Sequence, residues 1–428
     1  MRLVIGIFLI FSWLSTAVLA QEISPKTLAE CIAIAEQQHP SLKAATAAVQ
    51  AGHARVWQAA SNYLPQVNAS YLAQRRQTRP AAFGGTGGQA IRSNFFNAGA
   101  GLTQVLFDFG QNLNAIRAAQ ESEQSLQADR MTQRDIVVLN LKQAYFNVLA
   151  TVRLLRVADE TVRQNHKHLE QAQGRFDVGL AAKFDVTRAQ VQMANAELNQ
   201  VTARNNVAVA RETLRNALGW TRPLDFDIVD NFDVHQLTVA EADALKAAYD
   251  RRPEIQSILA QQRATTQQIS ALRKSYLPSV QAQADYSYLG TDYPLSNVWD
   301  VGATVNLNIL NGGLTTAQIS EQKANLSTLK FNEEVLRQNI ALEVRQAVLN
   351  LQQAAESIRV SEKALQQAKE NLELAEGRYN TGVGNIIELT DAQTSLTSAE
   401  ASHVQALYTY KTTLAALGKA TAQELSTD

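Results

Sequence analysis

Several features that define other protein classes are scarce in this sequence. Its 428 residues include one cysteine, Cys31, and only eight prolines. A single cysteine excludes an internal disulfide framework and a cysteine-rich metal site. Because Cys31 is small and apolar, we expect it to be buried in a core. Few prolines and much alanine, leucine and glutamine favour long helices.

An excess of charge of one sign is also missing. The formal net charge is −1 and the basic residues are scattered, which argues against nucleic acid as a partner. Past residue 20 no run of eighteen apolar residues occurs, so no transmembrane helix is predicted. Residues 1–20 resemble a secretory signal, with Arg2 before an apolar run and small residues at Val18-Leu-Ala20. An exported protein is therefore predicted, which would enter a membrane only as β-structure.

Residue groupings that carry catalysis or bind metals are missing as well. His166 and His168 are two residues apart, which directs them to different faces of a helix. No cysteine or carboxylate cluster completes a metal shell around them. We find no phosphate-binding glycine loop after a strand and no spacing typical of a Ser-His-Asp or Cys-His site. We therefore expect no enzymatic activity, no metal site and no cofactor.

What the sequence does contain is an internal repeat. Tyr63-Leu-Pro and Tyr276-Leu-Pro each follow a helix-forming segment and precede a segment of alternating character. Because proline biases the preceding residue toward extended conformations, each motif predicts a switch from helix to strand. The chain is accordingly divided into a first repeat at 21–218, a linker at 219–250, a second repeat at 251–418 and a tail at 419–428.

Each repeat is predicted to contain two strands. In the second repeat, apolar and polar residues alternate over 280–288 and 299–309, a length that fits a tilted membrane strand. The first repeat is less regular and contains a glycine-rich loop at 84–88. Hairpins packed on a soluble core are the alternative. An open sheet cannot face lipid and four strands cannot close a barrel, so a membrane location requires several chains.

Two proline-free segments follow the strands and lead into matching motifs. The segments run from about 112 to 178 and from about 314 to 381, so each helix could extend roughly 100 Å. The motifs, at 175–190 and 378–393, both begin with arginine and an aromatic residue and end with Ala-Gln. They predict helical hairpins whose turns lie at Gly179 and Gly382. The return helices are expected to end at Gly219 and Gly418.

In this order, the features resemble the TolC-type outer-membrane export channel family over nearly the whole mature chain. The resemblance implies a mainly α-helical homotrimer whose long hairpins form a trimeric α-barrel in the periplasm. Four β-strands per chain would contribute to a shared 12-stranded membrane β-barrel in the outer membrane. The residues that carry the resemblance are the two Tyr-Leu-Pro switches, Phe107-Asp-Phe-Gly110, Asn311-Gly-Gly313 and the turns at Gly179 and Gly382.

The resemblance further implies a passive exit duct for efflux of small toxic compounds or for type I protein secretion. Such a duct is closed at its periplasmic end. It opens when a periplasmic adaptor and an inner-membrane pump or ABC exporter dock, and its barrel contacts outer-membrane lipid. The alternative is a soluble periplasmic coiled-coil adaptor that bridges membranes. The duplicated hairpin and the strand pair before each copy argue against it.

The resemblance also places candidate site residues in the second turn motif. Glu388 and Asp391 match acidic positions that line the narrowest part of the entrance. They are three residues apart and share one helix face, so three chains would form carboxylate rings that favour cations. The alternative is that both carboxylates only stabilise the first turn of a helix through its dipole.

Other matched positions concern closure and partner binding. Asp185 and Tyr379 match a pair that links the hairpins, here called the latch, through a hydrogen bond. Gly384 stands where the family often has a further latch arginine, for which Lys183 is a candidate replacement. The turn tips match positions that meet the adaptor, although a turn needs such glycines in any case. These tip residues are Val178, Gly179, Leu180, Thr381, Gly382 and Val383.

Overall fold

The structure is a computed structural model that describes residues 25–78, 90–230, 237 and 239–423. The predicted signal, the glycine-rich loop and the last five residues of the tail lie outside the described residues. The first repeat comprises α1 (Leu28–Gln38), α2 (Pro40–Ser61), β1 (Gln66–Thr78), β2 (Ile91–Phe107), α3 (Gln111–Asp177) and α4 (Lys183–Ala217). The second comprises α5 (Glu241–Arg251), α6 (Pro253–Lys274), β3 (Ser279–Gly290), β4 (Ser296–Asn306), α7 (Leu314–Asn380) and α8 (Ile386–Thr421).

The two longest helices confirm the prediction from the proline-free segments. α3 and α7 each contain 67 residues, which corresponds to a length of about 100 Å. Each packs along most of its return helix, so α3 and α4 form a first hairpin and α7 and α8 form a second. In the part of the chain that the structure describes, no helix is both long enough and apolar enough to cross a membrane.

Each repeat begins with a short helix that is not predicted from the sequence. α1 meets α2 at His39-Pro40, and α5 meets α6 at Arg252-Pro253. The residue before each proline has extended backbone angles, with ψ near 125°. A proline excludes its predecessor from the helical region, so a helix pair replaces one longer helix. α5 therefore occupies the end of the segment that was predicted to be a linker.

The prediction that Gly418 ends the last helix is wrong. α8 continues through Gly418 to Thr421, and the chain leaves the helix at Ala422, whose φ is +49°. Leu417 and Ala420 on this last turn are fully buried in the core. Burial there outweighs the weak helix propensity of glycine. α4, by contrast, ends at Ala217, and Gly219 follows with φ of +74° as predicted.

The strands form one antiparallel sheet in the order β1-β2-β3-β4. Its register aligns the alternation predicted for β3 and β4 with the residues of β1 and β2, because directly paired residues share a face. The register between β2 and β3 shifts between Val105 and Phe107. The polar face includes the paired row Asn68, Gly101, Asp285 and Asp300. The opposite face is apolar and largely exposed in the protomer, with the paired rows Val67, Leu102, Ala284, Val301 and Ala69, Ala100, Tyr286, Trp299.

A buried aspartate joins two of the motifs that were read separately in the sequence. Asp108 accepts a hydrogen bond from the Tyr63 hydroxyl at 2.7 Å. It also accepts from the backbone amides of Gly110 and Asn112, at 2.9 and 2.8 Å. The end of β2 and the start of α3 are thereby attached to the Tyr-Leu-Pro switch before β1. In the second repeat the Tyr276 hydroxyl lies instead 2.8 Å from the Thr316 hydroxyl.

The core lies around the middle of the long helices. A first cluster packs α1 and α4 against α3, and a second packs α5 and α8 against α7. Leu407 on α8 contacts both clusters and connects the repeats. Cys31 is fully buried in the first cluster, as expected, and burial raises the pKa of its thiol to about 12. The distal ends of the hairpins are therefore held by contacts of their own.

Candidate functional site

The distal turns of the two hairpins have the same geometry. Gly179 and Gly382 have φ of +76° and +79°, in the left-handed region that favours glycine. The next amide closes each turn, from Leu180 to the Arg175 carbonyl at 2.8 Å and from Val383 to the Arg378 carbonyl at 3.0 Å. This is the Schellman end of a helix. The matching motifs therefore form matching turns.

The tip residues present apolar side chains to solvent in the protomer. Leu180 is 79% exposed, and Val178 and Val383 are similarly accessible. Phe184, which the sequence analysis did not single out, is also exposed beside them. Thr381 has a structural contact, because its hydroxyl donates to the Gly377 carbonyl at 3.0 Å. The predicted adaptor positions thus combine turn-forming residues with exposed apolar side chains.

Position 384 is crowded by the backbone of the turn itself. A Cβ atom built on Gly384 would lie 2.9 Å from the Arg378 Cβ and 3.1 Å from the Tyr379 amide nitrogen. The Gly384 amide also donates to the Arg378 carbonyl at 2.8 Å. A larger residue at position 384 would therefore require the Arg378 side chain or the backbone of the turn to shift.

Glu388 has contacts within its own hairpin. Its backbone amide donates to Asn385 Oδ1 at 2.9 Å, which caps α8, and its Oε2 lies 3.2 Å from Arg378 Nε. The carboxylate lies in the first turn of α8, where the helix dipole favours negative charge. The position of Glu388 therefore agrees with the alternative that this carboxylate stabilises the first turn of α8. Its role in an aperture stays a prediction.

Asp391 contacts the other hairpin. Its Oδ1 lies 3.6 Å from Arg188 Nη2, and Arg188 Nε also donates to the Thr390 hydroxyl at 3.4 Å. The Asp391 side chain is 70% exposed. Arg188 is on α4 and Asp391 is on α8, so this ion pair crosses between the hairpins. Asp391 is predicted from the sequence as a site residue, whereas its partner Arg188 is not.

The latch residues lie near each other without the predicted hydrogen bond. Tyr379 is 5% exposed, and its hydroxyl has no hydrogen-bond partner among the described residues. Burial raises the pKa of Tyr379, the Arg175 charge opposes this rise, and the Asp185 charge adds to it. Lys183 lies 5.6 Å from the Phe176 ring of its own hairpin. The latch itself stays a prediction.

Arg175 makes the closest polar link between the two turns. Its guanidinium donates to the carbonyl oxygens of Tyr379 at 2.7 Å and Asn380 at 3.1 Å. It also lies 4.3 Å from the centroid of the Tyr379 ring, within the range of a cation–π contact. These carbonyls lie at the end of α7, where the helix dipole favours a cation. The acceptors are backbone atoms, which no sequence motif announces.

A buried histidine lies farther along the contact between the hairpins. His168 on α3 is 3% exposed, and neither of its ring nitrogens has a hydrogen-bond partner in the described part of the chain. Gln393 Oε1 on α8 is buried without a partner as well. Burial lowers the pKa of His168, against the opposing influence of Gln171, Glu376 and Gln393. His168 is therefore a buried side chain at the contact between the hairpins, which its spacing in the sequence does not reveal.

Comparison with known families returns two matches, one for each repeat. The model of the family described as outer membrane efflux protein matches residues 31–220 and again residues 244–423. The second match includes the end of α8, and the first includes Cys31 and Trp220. The gap between them coincides with the region between the repeats. The same family model thus matches the chain in two successive segments.

Individual relatives extend this match over most of the chain. Outer membrane protein TolC of Escherichia coli is 28% identical over 394 residues, which cover 88% of this chain and 78% of TolC. The toluene efflux pump outer membrane protein TtgC of Pseudomonas putida is 24% identical over 348 residues, covering 79% and 71%. The crystal structure of the Campylobacter jejuni CmeC outer membrane channel superposes with a TM-score of 0.81 at 19% identity, covering 94% and 87%.

Proposed function

This chain belongs to the outer membrane efflux protein family and is an outer-membrane exit duct, and we propose that its two hairpin turns close the periplasmic entrance. The observation that carries the proposal is the link from Arg175 to the end of α7, at 2.7 and 3.1 Å. It holds the tips of the two hairpins together at the end of the molecule farthest from the sheet. Closure at this end is what the resemblance implies for Glu388 and Asp391.

We propose that the duct is a homotrimer. Among the described residues, β1 and β4 each pair with one neighbouring strand, so each has an outer edge of unpaired backbone groups. Such an edge cannot face lipid. Pairing of β4 with β1 of the next copy would satisfy both edges and close a sheet of twelve strands from three chains. The apolar face would then contact outer-membrane lipid, and the polar face would line the interior.

We propose that the partners are a periplasmic adaptor and an inner-membrane transporter. The exposed apolar side chains of Leu180 and Val383 at the tips are suitable for contact with an adaptor hairpin. The name of the toluene efflux pump relative favours an efflux pump that exports small toxic compounds, which would be tripartite with the two partners above. Type I secretion of a protein is the second candidate, because it uses the same kind of duct.

The closure proposal is tested by recording from the purified protein in planar lipid bilayers. We expect Glu388→Ala combined with Asp391→Ala to change the single-channel conductance and the preference for cations. The matched control is Glu373→Ala, which removes a carboxylate from the same hairpin away from the turn. Unchanged conductance and selectivity in the double variant would remove both residues from the entrance.

Partner and cargo are tested in cells that lack the gene. An exposed-tip variant, Leu180→Asp with Val383→Asp, should assemble normally and fail to restore resistance to toxic compounds. Assembly is checked as a heat-modifiable, detergent-extracted oligomer in the outer-membrane fraction. Full resistance with both aspartates present would exclude these tips from the adaptor contact. Restored protein secretion without any change in resistance would favour type I secretion.

A further inference from the structure

The duplicated turns carry opposite charges at one pair of equivalent positions, 188 and 391. When the motif at 175–190 is aligned with the motif at 378–393, Arg188 corresponds to Asp391, and Asp185 corresponds to Glu388. The structure brings the first of these equivalent pairs into contact, with Arg188 Nη2 3.6 Å from Asp391 Oδ1. The ion pair thus joins the same site on the two hairpins.

The two acidic residues of the proposed entrance pair with arginines that lie on different hairpins. Arg378, the partner of Glu388, belongs to the same turn, and both residues move with the second hairpin. Arg188, the partner of Asp391, belongs to α4 of the first hairpin. The charge of Asp391 is consequently the one that depends on how the hairpins lie against each other.

The exposure of the Arg188–Asp391 pair indicates that it affects ions in the entrance more than it affects the stability of the fold. The Arg188 side chain is 29% exposed and the Asp391 side chain is 70% exposed. Exposed pairs at such distances contribute little to stability, because water screens their attraction. The same exposure leaves the net charge of the pair within reach of ions in solution. A neutralised carboxylate attracts cations less than a bare one.

We propose that Arg188 determines the ion selectivity of the entrance by neutralising Asp391 across the two hairpins. The closed entrance then prefers small inorganic cations less strongly than it would if every carboxylate in it carried an uncompensated charge. This inference rests on the proposed position of Asp391 in the entrance. It adds a residue on the other hairpin that sets the effective charge there.

The test measures the reversal potential of the full-length protein in planar bilayers under a KCl gradient. Arg188→Gln should raise the ratio of K⁺ to Cl⁻ permeability by at least about threefold, since it leaves one bare carboxylate per chain. Asp391→Asn should lower the ratio, because it leaves an unpaired guanidinium. The double variant should return close to the wild-type ratio, and Arg188→Lys should keep it.

Arg204→Gln is the matched control, because Arg204 is exposed on the same helix about 24 Å from Arg188. It should leave the permeability ratio unchanged. If Asp391→Asn lowers the ratio while Arg188→Gln has no effect, the inference fails and the proposed entrance stands. If the double variant does not return toward wild type, the charges act independently and the pairing is refuted. If neither single variant changes the ratio, the position of Asp391 in the entrance fails as well.

Discussion

Removal of the Arg175 side chain tests how the hairpin tips are held together. In Arg175→Ala the carbonyl oxygens of Tyr379 and Asn380 lose their cross-hairpin donor, and the Tyr379 ring loses its cation contact. The helices themselves keep their backbone hydrogen bonds, and the turn at Gly179 keeps its geometry. The variant should therefore weaken the contact between hairpins without unfolding either one.

The size of the effect follows from these contacts. A hydrogen bond to a charged group contributes about 1.5–3 kcal/mol and an exposed cation–π contact about 0.5–1 kcal/mol. Arg175 is only half-buried, so we take roughly 2 kcal/mol for the whole link after discounting for solvent screening. That corresponds to about a 30-fold shift toward separated tips in each protomer.

The assay is the fraction of time that single channels spend in the high-conductance state in planar bilayers. We expect Arg175→Ala to raise this fraction strongly and Arg175→Lys to raise it less. Lysine keeps a cation at the end of α7 but lacks the planar fork that reaches both carbonyl oxygens. An open fraction equal to that of the wild type, in a variant that still forms the heat-modifiable oligomer, would refute the reasoning.

Three further substitutions test individual contacts. Tyr379→Phe should not lower the free energy of unfolding, because a buried hydroxyl that is unpaired among the described residues costs stability. A loss above about 1 kcal/mol, absent in an Asp185→Asn background, would support the latch. Because burial lowers the pKa of His168, the unfolded chain takes up the proton more readily, so thermal stability should fall as the pH drops below about 6.5. His168→Gln should flatten this dependence, and an unchanged slope between pH 7 and 5 would contradict it. Gly384→Ala should destabilise the tip by about 1–3 kcal/mol and speed its proteolysis, whereas Gly377→Ala, which meets open space, should not.

The parts of the fold that could be predicted from the sequence are those with local causes. The turns at Gly179 and Gly382 and the switches at the two Tyr-Leu-Pro motifs depend on the backbone preferences of glycine and proline. The lengths of α3 and α7 follow from the absence of proline between such signals. Where packing decides, as at Gly418 on the last turn of α8, the local signal misled.

The site could be predicted only in part, for a related reason. Glu388 and Asp391 are visible in the sequence as carboxylates three residues apart. The contacts of Arg188 with Asp391 and of Arg175 with the Tyr379 carbonyl form only after the two hairpins have packed together. Backbone carbonyls as acceptors leave no trace in the sequence. A signal for Arg188 did exist, since alignment of the two turn motifs pairs it with a residue of opposite charge.

Because the core lies near the middle of α3, the distal part of each hairpin extends far beyond it. Leu154 is the last residue of α3 that packs against the first core cluster, and Asp177 at the tip lies about 23 residues, or roughly 35 Å, beyond it. A tilt of about 10° at the core would displace the tip by about 6 Å, since displacement grows with the length of the arm. A small rotation in the middle of the molecule therefore produces a displacement of several ångströms at the tips.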